Sequence, residues 1–305
     1  MRLLEGVVVA HATPFDEKDH IDYTALQRYI HFLAEKQVDG MFVCGTTAEA
    51  QILSMEERKS ILETALKAND GKMTITAQCG TSNLTETHDL LDHARTHGAD
   101  GAAVVTPFYY VYTQEELFDY YASIAREFSD FPLYLYNIPQ LTNNNLAVST
   151  VSRLAEQFSN LVGIKDSSGN FSTVTGYILE SRPDFRVILG YDRAFFVSLM
   201  SGGSGSVTGP GGVVPEPFVD VWRAYREKDY EKARDLQRKL IKISAAMGEG
   251  TNFAMVKAAL SLRGFGNGKM RRPFHSLPEQ AIQALRDRLK KALEETGYLI
   301  PELTS

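Results

Sequence analysis

Eight short apolar runs, each followed by a longer stretch of helical periodicity, constrain the fold of this chain more than any other feature. The runs are Gly6–Ala10, Gly40–Cys44, Met73–Cys79, Gly101–Thr106, Pro132–Tyr136, Leu161–Lys165, Arg186–Leu189 and Gly205–Thr208. Most are near-continuous in apolar residues rather than alternating. Strands buried on both faces look like this, as in a parallel sheet covered by helices. Between the first two runs, Leu26, Tyr29, Ile30 and Leu33 fall at i, i+3, i+4 and i+7 and share one helical face. Capping boxes are expected at Ser54 with Glu57, Asn83 with Glu86 and Thr113 with Glu116. In each, a side-chain oxygen accepts from a free backbone N–H and the acid reaches back.

Strand–helix units of roughly 20–35 residues predict an α/β chain folded as a closed (β/α)8 TIM barrel. The eighth helix is expected near Glu216–Arg226. Beyond it the alternation stops, and Tyr230–Met247, Phe253–Leu262 and Pro278–Thr296 read as helices with no strand between them. The expected organisation is a barrel over residues 1–227 and a C-terminal helical extension over 228–305, packed on the barrel. No low-complexity linker separates the two. A doubly wound open sheet is the rival fold. It is weakened because the first run leads into Ala10-His11-Ala12-Thr13-Pro14-Phe15, without a Gly-rich dinucleotide turn.

Composition narrows the function. The 305 residues carry 32 Lys+Arg against 38 Asp+Glu, a net charge of −6. A mildly acidic chain without a basic block argues against dedicated nucleic-acid binding. No stretch approaches the ~18 consecutive apolar residues of a membrane span, and the first run is too short for a signal sequence. Two cysteines, Cys44 and Cys79, make no disulfide framework and read as packed, reduced core residues, so the expected compartment is the cytoplasm. Of the histidines, only His93 and His97 have i, i+4 spacing, and no acid follows His93 as in H-E-x-x-H. They read as a solvated face, and no metal or cofactor is expected.

In such a barrel, reactive side chains belong at the C-terminal ends of the strands. Thr46 and Thr47 follow the second run, and Tyr109 and Tyr110 the fourth. Tyr136 and Lys165 end the fifth and sixth, and Asp192 follows the seventh in Gly190-Tyr191-Asp192. Lys165 is the informative one. A lysine at the end of Leu161-Val162-Gly163-Ile164 is costly to bury charged, so its pKa should fall. A neutral amine there is a nucleophile suited to a Schiff base with a carbonyl substrate. Read alone, Lys165 fits equally a lysine that snorkels or pairs with Asp166. A tyrosine hydroxyl near the amine can relay protons, although aromatic residues at strand ends also simply pack.

Taken in order, Gly45-Thr46-Thr47-x-Glu49, Tyr109 after Thr106-Pro107, Tyr136-Asn137-Ile138-Pro139 and Ile164-Lys165-Asp166 resemble the dihydrodipicolinate synthase / N-acetylneuraminate lyase family of pyruvate-dependent class I aldolases. The resemblance covers nearly the whole chain. It implies that Lys165 forms the imine with pyruvate or a 2-oxo acid and that Tyr136 is the general acid/base. It implies that Thr47 links Tyr136 to Tyr109 in a hydroxyl relay, with Tyr109 reaching across a subunit interface of a homotetramer. Thr46 and Thr47 would hold the pyruvate carboxylate, and the backbone around Val207 would line the pyruvate site. No metal is needed, since the protonated imine is itself the electron sink.

The pattern departs from the synthase branch in one place. Where that branch carries an arginine that grips aspartate semialdehyde, this chain reads Pro139-Gln140-Leu141. Leucine makes no bidentate carboxylate contact. Gly190 and Asp192 resemble the segment with which the lyases and 2-keto-3-deoxy-sugar-acid aldolases bind substrate hydroxyls. The expected activity is therefore a carbon–carbon lyase, cleaving or forming a 4-hydroxy-2-oxo acid with pyruvate as one partner. The favoured substrate is a 2-keto-3-deoxy sugar acid. A dihydrodipicolinate synthase and a sugar-acid dehydratase on the same imine are the alternatives. Asn143-Asn144-Asn145 reads as an exposed turn. The run from Gly202 to Gly212 reads as flexible backbone that approaches substrate rather than a phosphate cradle.

Overall fold

The computed structural model describes residues 2–248 and 252–304. Strands β1 (Gly6–Ala10), β2 (Gly40–Val43), β3 (Thr74–Gln78), β4 (Gly101–Val105), β5 (Leu133–Asn137), β6 (Leu161–Asp166), β7 (Arg186–Leu189) and β8 (Gly205–Thr208) close into a parallel barrel in sequence order. Each agrees with its apolar run to within one residue at either end. The helices are α1 (Tyr23–Glu35), α2 (Met55–Asn69), α3 (Leu84–Thr96), α4 (Gln114–Glu127), α5 (Pro139–Thr142), α6 (Val148–Gln157), α7 (Phe171–Glu180), α8 (Phe195–Met200) and α9 (Glu216–Arg226). Then come α10 (Tyr230–Ala246), α11 (Phe253–Leu262), α12 (Glu279–Thr296) and α13 (Pro301–Thr304), with no strand between them. The chain is a (β/α)8 barrel with C-terminal helices, and α10 packs on α9 and α12. Among the described residues no helix is long and apolar enough to cross a membrane.

The apolar runs hide a period of two. Val7 and Val9 face the shell between strands and helices, whereas Val8 and Ala10 face the barrel interior. The helices close the shell with faces such as Leu26, Tyr29, Ile30 and Leu33 of α1, all buried. Each large apolar side chain so buried contributes about 1.5–3 kcal/mol. Ser54 and Thr113 form the reciprocal capping boxes. Asn83 differs: its side chain accepts from the Thr85 and Glu86 N–H groups, and no return bond from Glu86 is present among the described residues. The Asn83 side chain thus caps the helix without the reciprocal bond.

One irregularity decides where the sixth strand aims. β5 and β6 pair Leu133 with Leu161 but Tyr134 with Gly163, leaving Val162 as an extra residue in β6. Strict alternation from Val162, which faces the interior, would put Ile164 inside and Lys165 outside. The extra residue reverses that parity, as β-bulges do. Ile164 packs in the outer shell, and Lys165 points into the barrel beside Tyr136, its cross-strand partner. Gly163 permits the bulge. A Cβ there would overlap the Arg186 carbonyl oxygen and lie 2.9 Å from the Tyr134 ring.

Gly163→Ala is therefore expected to destabilise the chain by about 1–3 kcal/mol through overpacking. It should appear as a lower thermal midpoint with the far-ultraviolet spectrum retained. An unchanged midpoint would show that β6 accepts a side chain at this position.

Candidate active site

The strand ends open into a cavity of about 270 Å3. Lys165 Nζ sits in its wall, 4.1 Å from the Phe42 ring centroid and 4.0 Å from that of Tyr136. Those two rings meet edge to face at 5.5 Å. Lys165 is buried, and burial alone lowers its amine from 10.5 to about 7. Asp166 does not offset it. Its carboxylate accepts from Asn137 Nδ2 at 2.7 Å and from Ser168 Oγ at 2.6 Å, and burial holds it above the usual carboxylate range. The alternative in which Lys165 pairs with Asp166 does not hold.

The Tyr136 hydroxyl lies 3.0 Å from Thr46 Oγ1. Burial pushes this phenol up to about 12, against the hydrogen bonds from Thr46 and Ser167. Here the sequence expectation needs a correction: the hydroxyl joined to Tyr136 is that of Thr46, not Thr47. The two threonines sit on a 3-10 turn (Thr46–Ala48). Successive residues of such a turn point about 120° apart. Thr47 instead faces Gly209 at the end of β8, and both threonines line the cavity. The first N–H groups of such a turn have no acceptor within it, which suits an anion.

This loop is held from a distance. Glu49, in a left-handed conformation at φ 60°, is buried, and its carboxylate pairs with Lys257 of α11. Its second oxygen accepts from the Arg271 N–H at 3.0 Å, and the Arg271 guanidinium grips Glu57 of α2 at 2.7 and 2.8 Å. Burial lowers Lys257 to about 8 even though Glu49 opposes the shift. Sequence reading missed Lys257 and Arg271. Their only signal was charge within otherwise apolar or turn-like stretches, more than 200 residues from Glu49.

Gly190, Asp192 and Val207 also line the cavity. A Cβ at 190 would overlap Ser167 Oγ and lie 3.0 Å from Ser167 Cβ, so a side chain there would require Ser167 to move. Asp192 Oδ2 accepts from Ser244 Oγ at 2.8 Å. Burial raises its carboxyl to about 6, moderated by the hydroxyls of Ser244 and Thr208. Leu141 is half exposed and is not part of the lining, while its neighbour Gln140 is.

Tyr109 is not brought to the cavity of its own chain. It is 80% exposed and stands beside the exposed Tyr110 and Val111, at φ 83°. Asn144, expected in an exposed turn, is buried beneath this loop. Its amide donates to the carbonyls of Pro107 at 2.9 Å and Tyr110 at 2.7 Å, and accepts from the Tyr112 N–H at 2.8 Å. The glycine-rich run also differs from expectation. Only Gly209 of its glycines lines the cavity. Gly205 and Gly212 instead make room for the Gly6 backbone and the Tyr29 hydroxyl. Cys44 and Cys79 are buried free thiols, both raised to about 12 by burial.

Away from the cavity, His93 and His97 stack at 3.9 Å and meet Glu63 of α2. Their ligand atoms lie within 4.8 Å of one another, close enough to share a cation.

Comparison with known proteins agrees with this geometry. The Dihydrodipicolinate synthetase family profile matches residues 3–292. The 4-hydroxy-tetrahydrodipicolinate synthase of Methanopyrus kandleri is 34% identical over 94% of this chain and 96% of its own. The probable 2-dehydro-3-deoxy-D-pentonate aldolase YjhH of Escherichia coli is 33% identical over 87% of this chain and 89% of its own. YagE from E. coli K12, a prophage protein of the dihydrodipicolinic acid synthase family solved in complex with pyruvate, superposes with a TM-score of 0.91. It is 29% identical and covers 98% of this chain and 100% of its own. A match across nearly the whole chain in both sequence and fold makes this protein a lyase of the dihydrodipicolinate synthetase family.

Proposed function

We propose that the chain is a pyruvate-dependent class I aldolase whose substrate is a 2-keto-3-deoxy sugar acid, with Lys165 as the imine-forming residue. The observation that carries this is the Lys165 amine. It is buried against Phe42 and Tyr136 without a carboxylate partner among the described residues, and Tyr136, its cross-strand partner, makes a hydroxyl contact with Thr46. The neutral amine adds to the C2 carbonyl of the oxo acid. Water leaves with one proton from the amine and one delivered from solvent through the hydroxyl relay, and a protonated imine remains. The substrate's C4 hydroxyl passes its proton to Tyr136, which hands its own through Thr46 toward solvent, as the C3–C4 bond breaks. Its electron pair enters the imine, an aldehyde departs, and the enamine takes a proton at C3. Hydrolysis then frees pyruvate and the amine. The N–H groups of the Thr46–Thr47 turn hold the C1 carboxylate, and Val207 lines the pyruvate end. Tyr109 of a second copy completes the relay through Thr46 in a homotetramer. The exposed Tyr109–Val111 segment supports this.

The substrate preference rests on the far wall. Leu141 offers no charge to a second carboxylate, whereas Asp192 and Ser244 offer hydrogen bonds to hydroxyls. That favours a polyhydroxylated tail over aspartate semialdehyde.

Borohydride reduction in the presence of pyruvate should leave a stable adduct on Lys165, mapped by peptide mass and absent in Lys165→Ala. The trapping rate should rise with pH through a midpoint of about 7, because only the deprotonated amine attacks, and level off above it. No adduct from folded protein would remove the aldolase and the synthase together. Tyr136→Phe should lower kcat by about 10²–10⁴ while the pyruvate adduct still forms; loss of the adduct as well would give the tyrosine a different role. Leu141→Arg should raise the rate with aspartate semialdehyde, measured against the wild type. A fall would show that Leu141 does more than omit a charge.

A further inference from the structure

We propose that Ser244, on the C-terminal extension, is a specificity-determining residue that reads the hydroxylated tail of the substrate together with Asp192. The inference rests on the aldolase reading above and names what the far end of that cavity recognises.

α10 and its C-cap residue Met247 bury a face of Gln237, Leu240, Ser244 and Met247, spaced i, i+3, i+7 and i+10. Two polar residues on an otherwise apolar buried face cost stability unless each is hydrogen-bonded. Both are, and to one short segment. Gln237 Nε2 donates to the Asp192 carbonyl at 2.9 Å and the Arg193 carbonyl at 3.3 Å, and its Oε1 accepts from the Phe196 N–H at 3.1 Å. Ser244 donates to the Asp192 side chain. One helix outside the barrel thus fixes both the backbone and the carboxylate of Asp192. Gln237 is a positioning residue, because it reaches the cavity only through that segment. Ser244 itself lines the cavity, as does Phe253 of α11.

The hydrogen-bond arithmetic selects a ligand class. A carboxylate has about four acceptor sites. Among the described residues the protein fills two, from Ser244 and Thr208. Ser244 spends its single proton on Asp192 and keeps lone pairs free to accept. Adjacent hydroxyls on a substrate can therefore donate one proton to Asp192 and one to Ser244 Oγ. A vicinal diol matches this pair, and a bare alkyl chain does not.

The test uses the full chain and two three-carbon aldehydes, glyceraldehyde and propionaldehyde, each condensed with pyruvate. In Ser244→Ala the preference for glyceraldehyde over propionaldehyde, as a ratio of kcat/KM values, should fall by up to about tenfold, as loss of one hydrogen bond between neutral groups implies. The change should lie mainly in KM for glyceraldehyde. Borohydride trapping with pyruvate alone should continue, and Ser244→Thr should restore the preference. Gln237→Met should lower the same ratio without abolishing trapping. Equal losses for both aldehydes, or an unchanged ratio, would overturn the role of Ser244 while a wild-type adduct left the aldolase standing. A wild type that traps no pyruvate would overturn both.

Discussion

A lysine amine kept uncharged near neutral pH is the condition on which the rest of this site depends. Moving Lys165 from 10.5 to about 7 corresponds to about 5 kcal/mol of differential stabilisation between its two forms. Two aromatic faces at 4.0 and 4.1 Å would by themselves favour the cation. Burial, which excludes water, works the other way and lowers the amine. Exclusion requires that the side chain point inward, and the extra residue at Val162 provides this. The bulge in turn requires Gly163. Sequence, register and reactivity form one chain of dependence: a glycine permits the bulge, the bulge turns the lysine inward, and the interior removes its charge.

The C-terminal helices complete this arrangement at two points on the rim. Lys257 of α11 and the backbone of Arg271 hold Glu49, and with it the strained turn that carries Thr46 and Thr47. α10 holds Asp192. A buried ion pair such as Glu49–Lys257 is weak evidence for net stability, since desolvation offsets much of the attraction. Its value here is geometric. It fixes a loop whose ends, Cys44 and Glu49, both adopt positive φ. The extension therefore acts as the outer half of the site rather than as a cover on the barrel wall.

Much of this was legible in the chain. Buried parallel strands must be nearly continuous in apolar residues, so eight such runs led to the barrel, and strand ends then singled out Lys165, Tyr136 and the threonine pair. What stayed hidden has physical reasons. Leu161-Val162-Gly163-Ile164 is apolar throughout, so its pattern could not reveal a parity change. Thr46 and Thr47 are adjacent and chemically alike, and only the turn geometry assigns one to Tyr136. Asn144 looked exposed because polar triplets usually are, yet its side chain satisfies three backbone groups of the Tyr109 loop. Lys257, Arg271 and Ser244 come from the extension, where helical periodicity says which face is buried but not what it meets.

In the proposed reaction, the choice of second partner falls to the walls of the cavity. The pyruvate end needs only a neutral amine, a proton relay and N–H groups for a carboxylate, and it asks nothing of the second partner. Discrimination is therefore left to residues beyond Lys165. On the β5 side Leu141 supplies no charge, and Gln140 contributes an amide to the lining. On the β7 side Asp192 and Arg193 bring opposite charges to the same wall, with Ser244 between barrel and extension. A wall of mixed sign and many hydroxyl partners gives no net attraction to a second anion. It can both donate to and accept from a neutral polyol along its length. On the proposed reading, a hydroxylated tail loses its water-made hydrogen bonds on entry and regains them here, whereas a second carboxylate would meet Asp192 as well as Arg193 and find no further cation on the β5 side.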